Sequence, residues 1–347
     1  MQNDLLIKAC RRQPIPRTPV WIMRQAGRYL PEYQKVRTKV DFLTMCRTPE
    51  LAAEVTLQPV DILDVDAAII FSDILVIPQA MGMELSFSEG RGPVFERPLR
   101  VEQDFDKLQP VEVECKLNYV LEAIKLVRRE LAGRVPLIGF AGAPWTLAAY
   151  MIEGHGSKDF AQIKRLMYTA PELLKELLDK LAVAVSDFLL GQIRAGADVV
   201  QIFDSWAGIL TPECYRSFAL PYTRKVVQRL KQQQRAPIIV FAREAGHAIE
   251  DLADTGADVL SVSWHEDLAL AKKRVNGKVA LQGNLDPCVL LAPIDRIKTE
   301  VVTVLEKAGQ GSAHIFNLGH GILPQTPVEH ARAMVQFVKE ESASYHV

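Results

Sequence analysis

The sequence lacks the signatures of the commonest enzyme classes. No GxGxxG follows a first strand, and there is no GxxxxGK[ST] loop, HExxH pair or GxSxG elbow. Nucleotide-dependent, zinc-peptidase and serine-hydrolase chemistry are therefore disfavoured. No apolar run reaches about 18 residues, and the N-terminal stretch MQNDLLIKACRRQPIPRTP carries no long apolar core. The expectation is a soluble, cytoplasmic protein with no membrane insertion. Cysteine is sparse, at Cys10, Cys46, Cys115, Cys214 and Cys288, with no CxxC and no zinc-like Cys-His spacing. Such an odd, scattered set points to a reducing compartment and to thiols that pack. Charge of one sign is missing too: the net charge is −1, which argues against a nucleic-acid binder or a basic membrane-surface protein. An anionic ligand must then be met by a local basic cluster.

What is present is an alternating pattern. The chain has 347 residues, 48% of them hydrophobic, enough for a large core without disulfide or metal. Eight short apolar segments read as strands: 19–23, 67–73, 135–142, 198–205, 237–242, 259–264, 278–284 and 313–319. Their nearly continuous apolar character suits strands buried on both faces of a parallel sheet. Helical patterns lie between them. TPEL at Thr48, TPEC at Thr211 and TPVE at Thr326 each offer a Thr N-cap, a Pro at the first helical position and an early Glu. The run from Pro171 to Arg194 repeats Leu and Val at three- and four-residue steps and ends at Gly196, where a left-handed residue is wanted. AGADVVQIFDS (195–205) and TGADVLSVSW (255–264) form a weak repeat, with DVDAAIIFSD (64–73) a looser copy. The pattern predicts one (β/α)8 barrel domain over 1–347.

In such a barrel, functional groups collect at the C-terminal ends of the strands. Here those ends carry Arg24 and Arg28, then Ser72-Asp73, Asp204-Ser205-Trp206, Asn284 and Asp286, and Asn317 and His320. Arg24 and Arg28 flank Gly27 directly after the apolar TPVWI. Two guanidiniums so placed suit a carboxylate or phosphate clamp, and the alternative is a pair of solvated surface arginines. Asp73 reads either as a helix cap or as a partly desolvated acceptor at the mouth. Tyr150, two turns inside a helix, reads first as an ordinary packed residue, a site residue being the alternative. His320 lies between glycines after a strand, with no partner visible. SEGRGPVFERPLR (88–100), with Arg91, Arg97 and Arg100, reads as an exposed loop, a mobile basic lid being the alternative.

Taken together, PVWIMRQAGRYLPEY, AAIIFSDIL, GFAGAPWTLAAYMIEG, VQIFDSWAG, LQGNLDP and NLGHGI resemble the uroporphyrinogen decarboxylase family of haem biosynthesis. The resemblance covers essentially the whole chain. It implies a single-domain barrel, a homodimer with facing clefts, and a reaction without metal or organic cofactor. In that reaction the four acetate side chains of uroporphyrinogen III become the methyl groups of coproporphyrinogen III. By motif position it implies that Arg24, Gln25, Ala26, Gly27 and Arg28 line the substrate cleft. Asp73 is then the central acid, with Tyr150, Ser205 and His320 around the macrocycle, and Asp73, Arg24 and Tyr150 are the catalytic candidates. His155, Arg243-Glu244 and the segment 261–267 depart from the pattern. Two rival readings remain. A methyltransferase on a related barrel would want late zinc ligands, and Cys288 shows no partner for that role. A non-catalytic tetrapyrrole binder would keep the arginines without needing Asp73.

Overall fold

The computed structural model describes residues 1–88, 92–311 and 313–346. Its centre is a curled sheet of seven parallel strands. In chain order these are β1 (Ala68–Ile69), β4 (Leu137–Gly142), β5 (Val199–Asp204), β6 (Ile238–Ala242), β7 (Val259–Ser261), β8 (Ala280–Gln282) and β9 (His314–Ile315). They lie side by side in that same order, each pair parallel. An antiparallel hairpin, β2 (Leu85–Ser88) with β3 (Gly92–Phe95), stands apart from the sheet.

Strand residues alternate between two cores, which is why the sequence shows unbroken apolar runs. Val200, Ile202, Ile238 and Val240 point outward into the large layer between sheet and helices. Ile138, Val199, Phe203, Ile239, Phe241, Val259, Ala280 and Ile315 point into the concave side. There they meet Leu6, Ala9 and Cys10 of the N-terminal helix Leu5–Cys10, together with Ile15. A small polar layer shares that interior: Trp21 Nε1 donates to Gln282 Oε1 (2.9 Å), and Gln282 Nε2 donates to Ser261 Oγ (3.0 Å). Buried polar side chains of this kind are tolerated because they satisfy one another.

The first predicted strand, 19–23, forms no extended ladder. Val20 makes an isolated parallel bridge to Phe316. Phe316 N–H donates to the Pro19 carbonyl (2.8 Å), and on the other side Asp66 N–H donates to the Val20 carbonyl (2.8 Å). This short segment thus touches both ends of the seven-stranded sheet.

The Ala-Asp repeat has a physical cause. Asp198 Oδ2 accepts from Leu137 N–H (2.9 Å) on the neighbouring strand and from Arg128 Nη1 (2.6 Å) on the helix before it. Asp258 repeats the arrangement with Ile238 N–H (2.7 Å) and Lys231 Nζ (2.6 Å). Asp66 does so with Val20 N–H (2.8 Å) and a two-pronged pair to Arg17 (2.6 and 2.7 Å). Each carboxylate stitches the start of one strand to the start of the next and to a preceding cation. These are charge-assisted bonds at the N-terminal ends of the strands, where residues serve stability.

Helix signals were partly followed. Helix Pro171–Ala195 ends at Gly196 with φ +122°, as its sequence predicts. Thr211 caps its helix by accepting from Cys214 N–H (3.3 Å). Thr48 precedes a helix but turns its hydroxyl back to the Thr44 carbonyl (2.8 Å), and the helix expected at Thr326 starts instead after Pro327. Proline stands at N1 of the helices after Thr48 and Thr211 and at the N-cap of the third, so it marks these starts more faithfully than the threonine, because it fixes φ whatever the hydroxyl does. The 88–100 segment contains β3 rather than a plain loop. Of its arginines, Arg91 lies outside the described residues. Arg97 is exposed near Glu84 (3.8 Å), and Arg100 donates to the carbonyls of Ile152 and Glu153 (3.2 Å for the latter). That last contact caps the C-terminus of helix Pro144–Glu153, which carries Tyr150.

Candidate active site

The MRQAGRY turn presents its two arginines by burying the residue between them. Gln25 is fully buried; its Oε1 accepts from Ile22 N–H (3.0 Å) and its Nε2 donates to the Ala67 carbonyl (3.0 Å). Tyr29 hydroxyl in turn donates to the Gln25 carbonyl (2.8 Å). The side chain of Gln25, expected in the cleft, is therefore committed to the wall. It holds Arg24 in a left-handed conformation, φ +64°, a cost of about 1–2 kcal/mol for a residue with a Cβ. Backbone strain of this sort persists where the surroundings over-determine it, commonly at functional positions. Gly27 is needed for the same turn, since a Cβ there would stand 2.8 Å from the Arg24 carbonyl oxygen. Ala26 is half-buried and packs on the core, while Arg28 extends into solvent.

Arg24 is the hub. The residue is exposed to solvent as a whole, yet its guanidinium is crowded by protein, and that crowding is the main influence lowering its pKa. Tyr150 and Asp73 act on it in the opposite sense, and Arg28 and Arg243 add to the lowering. Among the described residues, Arg24 and Arg28 have no carboxylate within ion-pairing distance of 4.0 Å. Two guanidiniums without acidic partners at one mouth are an anion site by elementary electrostatics.

Asp73 follows β1 and accepts from Leu75 N–H (2.7 Å) through one oxygen, so it does cap the next turn. Burial pushes its carboxyl up, with the Leu75 N–H and Arg24 pulling it back. Both sequence readings of Asp73 are thus compatible: one oxygen is committed to a cap while the carboxylate as a whole is half-buried beside Arg24. Tyr150 is half-buried too, its ring 5.9 Å from that of Trp206 and inclined to it by 63°. Burial raises its hydroxyl pKa, and Asp73 and Arg24 act on it in opposite directions. His320 packs 6.0 Å from Trp264 and 6.2 Å from Phe241. Burial, then Arg24, then Arg243, drive its pKa down to about 3. The imidazole is therefore neutral at physiological pH and offers a hydrogen bond without adding charge. Ser205 is half-buried beside Trp206 at the end of β5. Arg24, Asp73, Tyr150 and His320 accordingly form one electrostatic group at the C-terminal ends of the strands. Arg28 acts on Arg24, and Ser205 adjoins Trp206, whose ring packs on Tyr150.

Several polar residues at strand ends serve as pins. Asn317 Oδ1 accepts from Met23 N–H (2.9 Å) and Leu318 N–H (2.8 Å), tying the first segment to the turn after β9. Asn284 Nδ2 donates to the carbonyls of Ser263 (2.9 Å) and Glu266 (2.8 Å), and Asp286 caps a turn through Cys288 N–H (2.8 Å). The turn of NLGHGI also seats Arg24. A Cβ on Gly321 would lie 2.4 Å from Arg24 Cδ. Gly321→Ala is therefore expected to displace that guanidinium and lower kcat/KM by about tenfold, with little change in Tm; steady-state kinetics beside a thermal melt checks this.

The Asp204 carboxylate explains the GFAGAPWTL and FDSWAG blocks. It is wholly buried at the end of β5, and Thr146 hydroxyl donates to its Oδ1 (2.6 Å). Trp206 N–H donates to Thr146 Oγ1 (3.2 Å), and Trp145 Nε1 donates to the Trp206 carbonyl (3.0 Å). These bonds lock the two turns together and so fix the helix bearing Tyr150. Burial drives the Asp204 pKa from 3.8 to about 7, Thr146 opposing. The folded state then binds a proton that the unfolded chain has already released, so this group's contribution to stability falls as pH rises from about 4 to 7. Asp204→Asn is expected to remove that decline and to be the more stable form at pH 8, by roughly 2–4 kcal/mol. Denaturant unfolding of both proteins at pH 5 and 8 measures the difference.

Comparison with known proteins identifies the family. The family model for uroporphyrinogen decarboxylase matches residues 1–341. The chain belongs to the uroporphyrinogen decarboxylase family. It is 54% identical over 350 residues to uroporphyrinogen decarboxylase of Chloroherpeton thalassium, covering 100% of this chain and 99% of that one. It is 51% identical to that of Chlorobaculum parvum over the full length of both. The enzyme is thus a carboxy-lyase of porphyrin and haem biosynthesis. In fold it is similar to a methyltransferase from Methanosarcina mazei, with TM-score 0.82, 22% identity and 98% of each chain covered. A B12-independent methionine synthase from Shewanella sp. W3-18-1 is a more distant likeness, with TM-score 0.55, 11% identity, and 84% of this chain and 88% of that one covered. At those identities only the fold is shared. No described helix is long and apolar enough to cross a membrane.

Proposed function

We propose that the cleft at Arg24 and Asp73 removes carbon dioxide from each of the four acetate side chains of uroporphyrinogen III, giving coproporphyrinogen III without metal or organic cofactor. The observation that carries the reading is the convergence on Arg24: Asp73, Tyr150 and His320 all act on it or are acted on by it. The substrate carries eight carboxylates, and Arg24 and Arg28 meet the ones at the mouth. The macrocycle directs four pyrrole N–H donors at its centre, where one half-buried carboxylate, Asp73, accepts several of them.

Decarboxylation needs a place for the electron pair of the breaking C–C bond. Protonating a pyrrole carbon makes the ring that acceptor; carbon dioxide leaves, and a proton added to the exocyclic carbon with loss of the ring proton restores the pyrrole. The net change at each acetate is one proton taken up and one carbon dioxide released. Asp73 stabilises the cationic ring, preorganised charge being commonly the largest catalytic contribution. Tyr150 and neutral His320 supply hydrogen bonds around the ring, with Ser205, Ala26 and Gly27 shaping the wall. The scaffold is one domain in which the segment Pro19–Trp21 serves as an eighth stave and completes a (β/α)8 barrel. Its paired bonds to Phe316 and Asp66 support that closure, as does the Asp66 stitch shared with two true strands. In the cytoplasm the enzyme works as a homodimer.

The reading is tested by anaerobic incubation of the pure protein with chemically reduced uroporphyrin III, products being oxidised and separated by carboxylate number. Stepwise appearance of seven-, six-, five- and four-carboxylate porphyrins is expected. Tight binding with no loss of carboxylate would leave a tetrapyrrole-binding protein instead.

A further inference from the structure

We infer that Arg243 is a third carboxylate-binding guanidinium of the cleft, held by Glu244 in the empty enzyme and transferred to a substrate carboxylate on binding. The inference rests on the decarboxylase reading of the same site.

Arg243 directly follows β6, the middle strand of the seven. The segment bearing Arg24 touches the two outer strands, so Arg243 and Arg24 enter the mouth from facing sides of the curl. They are near enough to influence one another, and both act on His320. The Arg243 guanidinium lies over the Trp264 ring, 5.6 Å from its centre, and Trp264 packs edge-on to His320 at 6.0 Å. The aromatic face steadies the plane of the guanidinium, a group whose fork matches a carboxylate.

Among the described residues, only one ion pair restrains it. Arg243 Nη2 meets Glu244 Oε1 at 2.8 Å, and Arg243 Nε is buried with no hydrogen-bond partner among the described residues. Glu244 itself is exposed, left-handed at φ +57°, and also 3.8 Å from His265 Nδ1. A pair between adjacent residues, one of them solvated, is weak and exchangeable. A buried Nε without a partner is the expensive feature, and a ligand oxygen reaching the Nε edge would satisfy it. Arg24 and Arg28 alone leave most of eight carboxylates unmet. A cation on the facing wall gives the second side of the macrocycle an anchor that can be vacated between successive acetates.

The test compares wild type, Arg243→Ala, Arg243→Lys and Glu244→Gln. The measurements are steady-state decarboxylation of uroporphyrinogen III and equilibrium binding of the oxidised probe uroporphyrin III, followed by fluorescence, with thermal melts confirming folding. Arg243→Ala is expected to raise KM and the probe Kd about tenfold or more with kcat within about twofold, since a charge-assisted pair is lost from binding. Arg243→Lys should recover part of the loss, and Glu244→Gln should lower KM by releasing the fork. Unchanged KM and Kd in folded Arg243→Ala would overturn the inference, as would a higher KM in Glu244→Gln. Wild type that binds the probe but releases no carbon dioxide would overturn the decarboxylase reading alone, because the Kd comparison still stands.

Discussion

Asp73→Asn is expected to bind uroporphyrinogen and to decarboxylate it about 10²–10³-fold more slowly. Asparagine keeps the shape and keeps an acceptor for Leu75 N–H, now bonded at 2.7 Å, so the turn should survive. What disappears is the negative charge. In the ground state a neutral tetrapyrrole centre can still donate to an amide oxygen, and binding therefore changes little. Once a pyrrole carbon is protonated, the ring is a cation in a half-buried pocket, and the loss is felt there. A kcat effect with little change in KM is the pattern of an interaction made mainly in the transition state. Burial already pushes the Asp73 carboxyl upward, so activity should fall on the acid side as this group takes its proton, and the fall should be absent from the residual activity of Asp73→Asn. A pH profile of kcat for both proteins checks this. An unaltered kcat would remove Asp73 from the chemistry.

Arg24→Ala should fail differently, losing both binding and turnover, with kcat/KM down by roughly 10²–10³-fold. Arg24 is the cation on which the other members of the site converge, and its side chain rests against Gly321. Removing it deletes a fork for a substrate carboxylate and one of the two cations that, after burial, keep His320 neutral. Lysine restores charge without the planar fork, so Arg24→Lys should recover only part of the loss. Unchanged kinetics in Arg24→Ala would refute the carboxylate clamp.

The residues behind these two expectations differ from their neighbours in how visible they are in the sequence. Arg24, Asp73 and His320 are singled out because each follows an apolar segment read as a strand, and strand ends are where such a fold exposes polar groups. The same rule over-selects: Asn284, Asp286 and Asn317 sit at strand ends as well, and the structure uses them to pin loops. Spacing does not separate a pin from a ligand, because both need a polar atom at the same level. Gln25 illustrates the difficulty within one motif, a buried amide between two outward arginines. Arg243 stands out in the sequence only as a departure from the family pattern, with no role assigned, for a related reason. Its position after β6 was visible, but its nearness to Arg24 depends on how the sheet curls, and that is a long-range property.

At the level of fold, strand order followed directly from the alternation of apolar runs with helices. The Ala-Asp repeat proved to be a recurring stitch, with Asp198, Asp258 and Asp66 in equivalent places. Strands β2 and β3 were not legible: the Gly, Pro and charged residues of 88–100 read as loop, and β3 is held by contacts such as Phe95 N–H to the Gly154 carbonyl (2.7 Å). Tertiary contact overrode local propensity there.

The most direct measurement is a crystal structure of the enzyme with coproporphyrinogen III, grown without oxygen. The expected result has the macrocycle in the cleft, Asp73 oxygens within hydrogen-bond distance of its pyrrole nitrogens, and Arg24 on a side-chain carboxylate. A product bound with its nitrogens turned away from Asp73, or outside the mouth altogether, would contradict the account.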